Sequence, residues 1–381
     1  MEAMQHFKMF FDFFCHHRVD ANGGPNPFKI NTFKQRLCIL KMILILIMCL
    51  LSAAYAVSFA DLFIPNHSCV NRLVNWMFLC TSLAACFVVT WEKLAVGRED
   101  VHLWNTFNEI EIQITDIADK RVLQKILTKY NRLYSVLCCI LLTVECSIVL
   151  LISADSKNTK TSTIGFIILF QIMSVVDIYR QLQMTMYIRI LTSYLRILKL
   201  GIKQSCILIH KLGNHGLCIG NMDVELRKAC SCYFLCMKAF LQIQNQFSWG
   251  LFMICLKFSI VLWNETYWIV FRAFMETSFK TYCLHVIPYF IVFLYFTWSC
   301  EWLYAEVNFS QPLYTTDLQN APKATRLRIT HLQLLLDYNV FFFHTFGVCR
   351  VCYKLVVQYI ISGITRVSFI AEILVDYSRD N

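Results

Sequence analysis

VCYKLVVQYIISGITRVSFIAEILV, residues Val351 to Val375, is a run of 25 residues. A helix needs about 20 residues to cross a bilayer, so this run can span one with some tilt. It is not uniformly apolar. At ~100° per residue, Gln358, Ser362, Thr365 and Glu372 fall on one stripe, with Phe369 among them and Ser368 at its edge. An ionisable group is costly against hydrocarbon, so the stripe must face other helices or water. Two readings follow. The stripe lines a water-filled path, or it is a packing seam in which Ser, Thr and Gln hydrogen-bond between membrane helices.

The rest of the chain agrees with a membrane setting. Of its 381 residues 57% are hydrophobic and only 16% charged, with a mean hydropathy of +0.52. Soluble domains carry about a quarter charged residues, so this is a multispanning membrane protein. A net charge of +10 points to nucleic acid in a soluble protein, but here basic residues set orientation instead. Most of the 19 cysteines lie inside apolar runs, where a free thiol is a small hydrophobe. Cys230, Cys232 and Cys236 have no evident fourth ligand, and His16-His17 reads as a solvated pair. P-loop, GxSxG, HExxH and dinucleotide fingerprints are all missing from the sequence. We therefore expect no enzyme, no catalytic residue, no metal, no cofactor and no nucleic-acid partner.

Hydropathy and charge divide the chain. Residues 1–37 read as a cytoplasmic N-terminal tail without a cleaved signal peptide. Residues 38–300 hold six spans: Cys38 to Ala60, Leu73 to Trp91, Leu133 to Ser153, Ile164 to about Ile188, Phe247 to about Phe271, and Tyr282 to Cys300. Asp177 and Arg180 interrupt the fourth and, at i,i+3, can compensate each other; Lys257 interrupts the fifth. Around 188–247, apolar residues at helical spacing with basic residues between them flank the glycines Gly213, Gly216 and Gly220. This reads as a hairpin continuing helices four and five into the cytoplasm, the alternative being an amphipathic pair lying on the membrane. Residues 301–350 form a cytoplasmic segment, 351–375 the seventh span and 376–381 an extracellular tail.

With the N-terminus inside, the inner segments carry 5, 7, 8 and 4 Lys or Arg, 24 together, against six in the outer segments. The fold class is thus all-α, a seven-transmembrane bundle with a cytoplasmic N-terminus and an extracellular C-terminus. That is inverted relative to G-protein-coupled receptors. Sequons at Asn66 and Asn264 fall on or near the outer side and are candidate glycosylation sites.

The last span also carries a family resemblance. Insect gustatory receptors end their final helix with Thr-Tyr, five mostly apolar residues and Gln-Phe. Here Thr365-Arg366 is followed by Val367 to Ala371 and then Glu372-Ile373. Thr365 and the spacing match, while Arg366 stands for Tyr, Glu372 for Gln and Ile373 for Phe. With its length, span number and orientation, the chain resembles a divergent gustatory receptor of the insect chemoreceptor superfamily.

The resemblance implies a ligand-gated cation channel at the plasma membrane, a homo- or hetero-tetramer with related receptors. The seventh helix would line the pore through Gln358, Ser362, Thr365, Phe369 and Glu372, and the segment 301–350 would anchor the subunits. It also implies a pocket for a small organic tastant or odorant in the outer half of helices two, three, four and six, where this chain offers Trp76, Cys80, Glu145, Phe166, Phe170, Gln171, His285 and Tyr289. Glu145, an acid within a span, is a site candidate in its own right, with pairing to Lys257 as the structural alternative. A transporter or a non-conducting scaffold are the competing readings, though no inverted repeat is visible.

Overall fold

A computed structural model of the chain describes residues 19–21, 28–30, 32–58, 69–96, 99–115, 120–155, 161–212, 219–274, 280–307, 323–338, 341–345 and 349–379. Helices dominate: α1 Thr32–Ser58, α2 Cys69–Ala95, α3 Glu99–Thr115, α4 Lys120–Asp155, α5 Thr161–Leu212, α6 Ile219–Gln246, α7 Ser248–Phe274, α8 Lys280–Val307, α9 Lys323–Tyr338 and α10 Tyr353–Arg379. Two small antiparallel ladders accompany them, β1 Val19–Ala21 with β2 Phe28–Ile30, and β3 His344–Thr345 with β4 Cys349–Arg350.

The central element is α5. Its 52 residues make a rod of about 78 Å, more than twice what a bilayer of ~30 Å can cover. From Ile178 to Leu195 every side chain is buried. A helix buried on all sides is a core element, and α1, α2, α3, α4, α6 and α8 all pack on α5. The second half of α5 and α6 bury faces against each other rather than lying separately on a surface. Tyr194 on α5 donates to Glu111 Oε1 on α3 at 2.8 Å. Burial, and then that carboxylate, hold the Tyr194 phenol well above its ordinary range.

The helix α3 lies within a stretch read only as an inner segment. Leu103, Trp104, Phe107, Ile110 and Ile114 recur at helical spacing and are all buried, and Glu99 and Asp100 suit the positive end of the helix dipole. Phe28 of β2 docks here as well. Its amide donates to Asn105 Oδ1, its carbonyl accepts from Asn105 Nδ2, and its ring lies 6.0 Å from that of Trp104. Part of the N-terminal region is therefore pinned to the bundle.

Between α6 and α7 the chain bends by 59° at Phe247 with no proline present. The bend has a side-chain cause. Glu92 on α2, buried, accepts the amides of Trp249 and Gly250 at 3.0 Å each, which are first-turn donors of α7 without helical acceptors. Arg180 on α5 donates to the Gln246 carbonyl at the end of α6 at 3.1 Å and to Glu92 Oε2 at 3.4 Å. Its guanidinium lies 3.9 Å above the Phe247 ring. One carboxylate and one guanidinium thus take up the backbone groups that the break exposes.

Three described helices contain stretches long and apolar enough to cross a membrane: Gln35–Tyr55, Leu73–Lys93 and Val286–Val307. There are four if the bent pair α6–α7 counts as one span. Buried charges such as Asp177, Arg180 and Arg189 lower the apolarity of α5, and Lys354, Arg366 and Glu372 that of α10.

Gly250 tests the bend. A Cβ added there falls 2.5 Å from Glu92 Oε2, so Gly250→Ala should push the carboxylate off its amides and cost about 1–3 kcal/mol, read as a lower Tm in detergent. Gly363→Ala meets nothing within 4 Å and should be neutral or slightly stabilising.

Candidate functional site

The last helix begins at Tyr353, two residues later than the apolar run. Val351 and Cys352 are used in a clamp from α8. The Tyr304 hydroxyl accepts the Phe343 amide at 3.0 Å and donates to the Val351 carbonyl at 2.9 Å, and the Val351 amide donates to the Phe343 carbonyl at 2.9 Å. Glu301, one turn earlier, accepts the Tyr353 amide at 3.1 Å and so caps the first turn of α10.

Three faces divide α10. Leu355, Val356 and Ile370 are buried, and Tyr359 donates to the Cys255 carbonyl of α7 at 3.2 Å, so this face packs on α7 and α8. On the polar stripe Gln358, Thr365, Phe369 and Glu372 are exposed and Ser362 is half-buried. Beside it, Val357, Ile360, Ile361 and Ile364 are exposed and apolar. Arg366 belongs to the packed side, its guanidinium 5.2 Å from the ring centroid of Trp263 on α7. The motif position where the resemblance has Tyr is therefore turned toward a neighbouring helix and away from the stripe. The Ile373 side chain lies outside the described residues.

Of the candidate ligand residues, Trp76 on α2 is half-buried, Cys80 is exposed and Tyr289 on α8 is buried. The helix α2 packs on α1, α5 and α7, while α8 packs on α4, α5, α7 and α10, so the two helices share α5 and α7 as neighbours. The side chains of Glu145, Phe166, Phe170, Gln171 and His285 lie outside the described residues.

One ion-pair expectation is corrected. Asp177 and Arg180 do not compensate each other. Asp177 accepts from Lys257 on α7 at 2.5 Å, and Arg180 goes to Glu92 and, at 2.8 Å, to Gln183. On a buried helix, partners on neighbouring helices reach the charges from the side they face. Lys257 itself is held by Asp177, with Nζ 5.3 Å from the Tyr289 ring, and the Glu145 side chain lies outside the described residues. The glycosylation candidate Asn264 lies on α7. It is 5% exposed and donates to Glu265 Oε1. Asn66 lies outside the described residues.

The sequence reading missed the cluster around Glu92. Lys93 pairs with Asp100 at 2.8 Å, and Gln246 donates to the other Asp100 oxygen, so the end of α2, the start of α3 and the end of α6 share one buried polar junction. Its signal was a set of charges immediately after an apolar run, which reads equally well as an ordinary inner loop.

Neither the protein-family descriptions nor the curated proteins contain a match to this sequence. Solved structures do. The insect olfactory receptor OR5 from Machilis hrabei is similar over 98% of this chain and 100% of its own, with a TM-score of 0.73 at 12% identity. The fold is that of an insect olfactory receptor. The same receptor in complex with eugenol is similar over 87% of this chain and 88% of its own, with a TM-score of 0.54 and 8% identity. With its long apolar helices, the olfactory-receptor fold makes the chain a multi-pass membrane protein.

Asp177→Asn or Lys257→Met alone should each strand a buried partner and cost about 3–5 kcal/mol, while the double variant should recover much of that. Thermal unfolding of the purified variants in detergent measures both.

Proposed function

We propose that this protein is a gustatory-type chemoreceptor subunit that forms a ligand-gated cation channel, without enzymatic activity, at the plasma membrane. The observation that carries this reading is the uncovered polar stripe of α10 in a chain with the olfactory-receptor fold. One copy cannot enclose water. Four copies around an axis can, with Gln358, Ser362, Thr365 and Glu372 lining the path and the Glu372 carboxylates forming a ring that attracts cations. The apolar face Val357, Ile360, Ile361 and Ile364 then lies against a neighbouring copy or lipid. The seven apolar runs support seven spans, and the Lys and Arg distribution supports a cytoplasmic N-terminus.

The ligand in this reading is a small organic tastant or odorant. One similar receptor is solved in complex with eugenol, which supports that class. Gating needs a mechanical route from pocket to pore. The helix α8 supplies one, since it carries His285 and Tyr289 near its start and the Glu301 and Tyr304 clamp on α10 near its end. Arg366, held at Trp263, leaves the path open to cations.

Recording reversal potentials tests the pore. Glu372→Gln should reduce cation preference and Glu372→Lys should reduce it further or abolish current; unchanged permeability in both removes Glu372 from the conduction path. Tags on the two termini test orientation, since an N-terminal tag accessible in intact cells overturns it.

A further inference from the structure

Arg189 stands where α4, α5 and α8 pack together, and it is 2% exposed. Four rings surround its guanidinium, with the centroids of Trp302, Trp298, Tyr295 and Tyr130 at 4.4, 4.9, 5.2 and 5.6 Å. Aromatic rings stabilise the faces of such a cation. They do not accept its in-plane hydrogens, of which a guanidinium has five. Nε donates to Ser299 Oγ at 2.9 Å, whereas Nη1 is buried with no hydrogen-bond partner. Among the described residues no carboxylate forms an ion pair with Arg189. Glu301 on the same stretch of α8 is engaged by the Tyr353 amide. A buried cation with open donors calls for an anion that the protein itself does not supply.

The surroundings say where that anion comes from. Ile287, Ile291, Trp298 and Trp302 lie on one face of α8 at near-helical spacing, and each is between 37% and 42% exposed. Trp298 and Trp302 fall near the end of the apolar stretch Val286–Val307. Across from them, exposed Lys129 and Arg132 precede the apolar part of α4. Tryptophans meeting basic residues at the end of apolar runs are the composition of a membrane–water interface, the depth of lipid phosphates.

We propose that Arg189 and its aromatic box bind the headgroup phosphate of an anionic lipid, whose chains lie along the Ile287 and Ile291 face of α8. Trp302 turns aside to admit the phosphate, which accepts from the free guanidinium donors. Assignment to the inner leaflet rests on the N-inside orientation; the site itself does not depend on the channel reading.

Native mass spectrometry of the purified full chain tests it with phosphatidic acid, phosphatidylcholine and inorganic phosphate as probes. Phosphatidic acid should be retained in preference to phosphatidylcholine, about tenfold less in Arg189→Gln and undiminished in Arg196→Gln, an exposed basic control. Equal retention of the two lipids, or full retention in Arg189→Gln, overturns the proposal. Displacement of the lipid by inorganic phosphate overturns it as well, because the site would then serve a soluble anion. Should Arg189→Gln fail to fold, tryptophan quenching decides. Brominated phosphatidic acid should quench the wild-type protein more than brominated phosphatidylcholine, and the difference should vanish when Trp298 and Trp302 are both replaced by Phe. Persistence of the difference overturns the site.

Discussion

The Glu92 carboxylate is the constraint on which the arrangement of the bundle depends. It is buried, it takes the two free amides that begin α7, and it faces Arg180, which takes the carbonyl that ends α6. Without these partners a 59° break inside the bundle would leave unpaired backbone groups, each costing about 1–3 kcal/mol. The bend directs α6 toward α3 and α9, while α7 runs against α2 and α10. Two helix directions in one chain are thus set by one ion pair from two other helices.

The same logic runs through α5. On a central helix in an apolar bundle, a partner on a neighbouring helix offsets the cost of burying a charge. Asp177 finds Lys257, Arg180 finds Glu92, and Tyr194 finds Glu111. These bonds are specific in direction, so they choose which face of α5 meets which helix where apolar packing alone would accept several rotations. Arg189 breaks the pattern, having rings in place of a carboxylate.

The helix α8 joins two regions that the sequence separates by more than fifty residues. Pro288 lies within it, near Tyr289 and the Lys257 ammonium, and its far end holds the turn before α10 through Tyr304 and Glu301.

Much of the architecture was legible in local pattern. The apolar runs, the long helical periodicity around 188–247 and the striped character of Val351 to Val375 depend on side-chain period and hydropathy, which are properties of neighbouring residues. The stripe was legible as a stripe for the same reason. Pairing was not. Asp177 and Arg180 look like partners at i,i+3, yet each is claimed across helices by Lys257 and Glu92, 80 and 88 residues away. Asn264 reads as a sequon on or near the outer side, and its 5% exposure is set by tertiary packing. Composition dictates that a charge inside a span needs a partner, because an unpaired one costs too much in a low dielectric. Which partner it takes is decided only when helices distant in sequence are packed side by side.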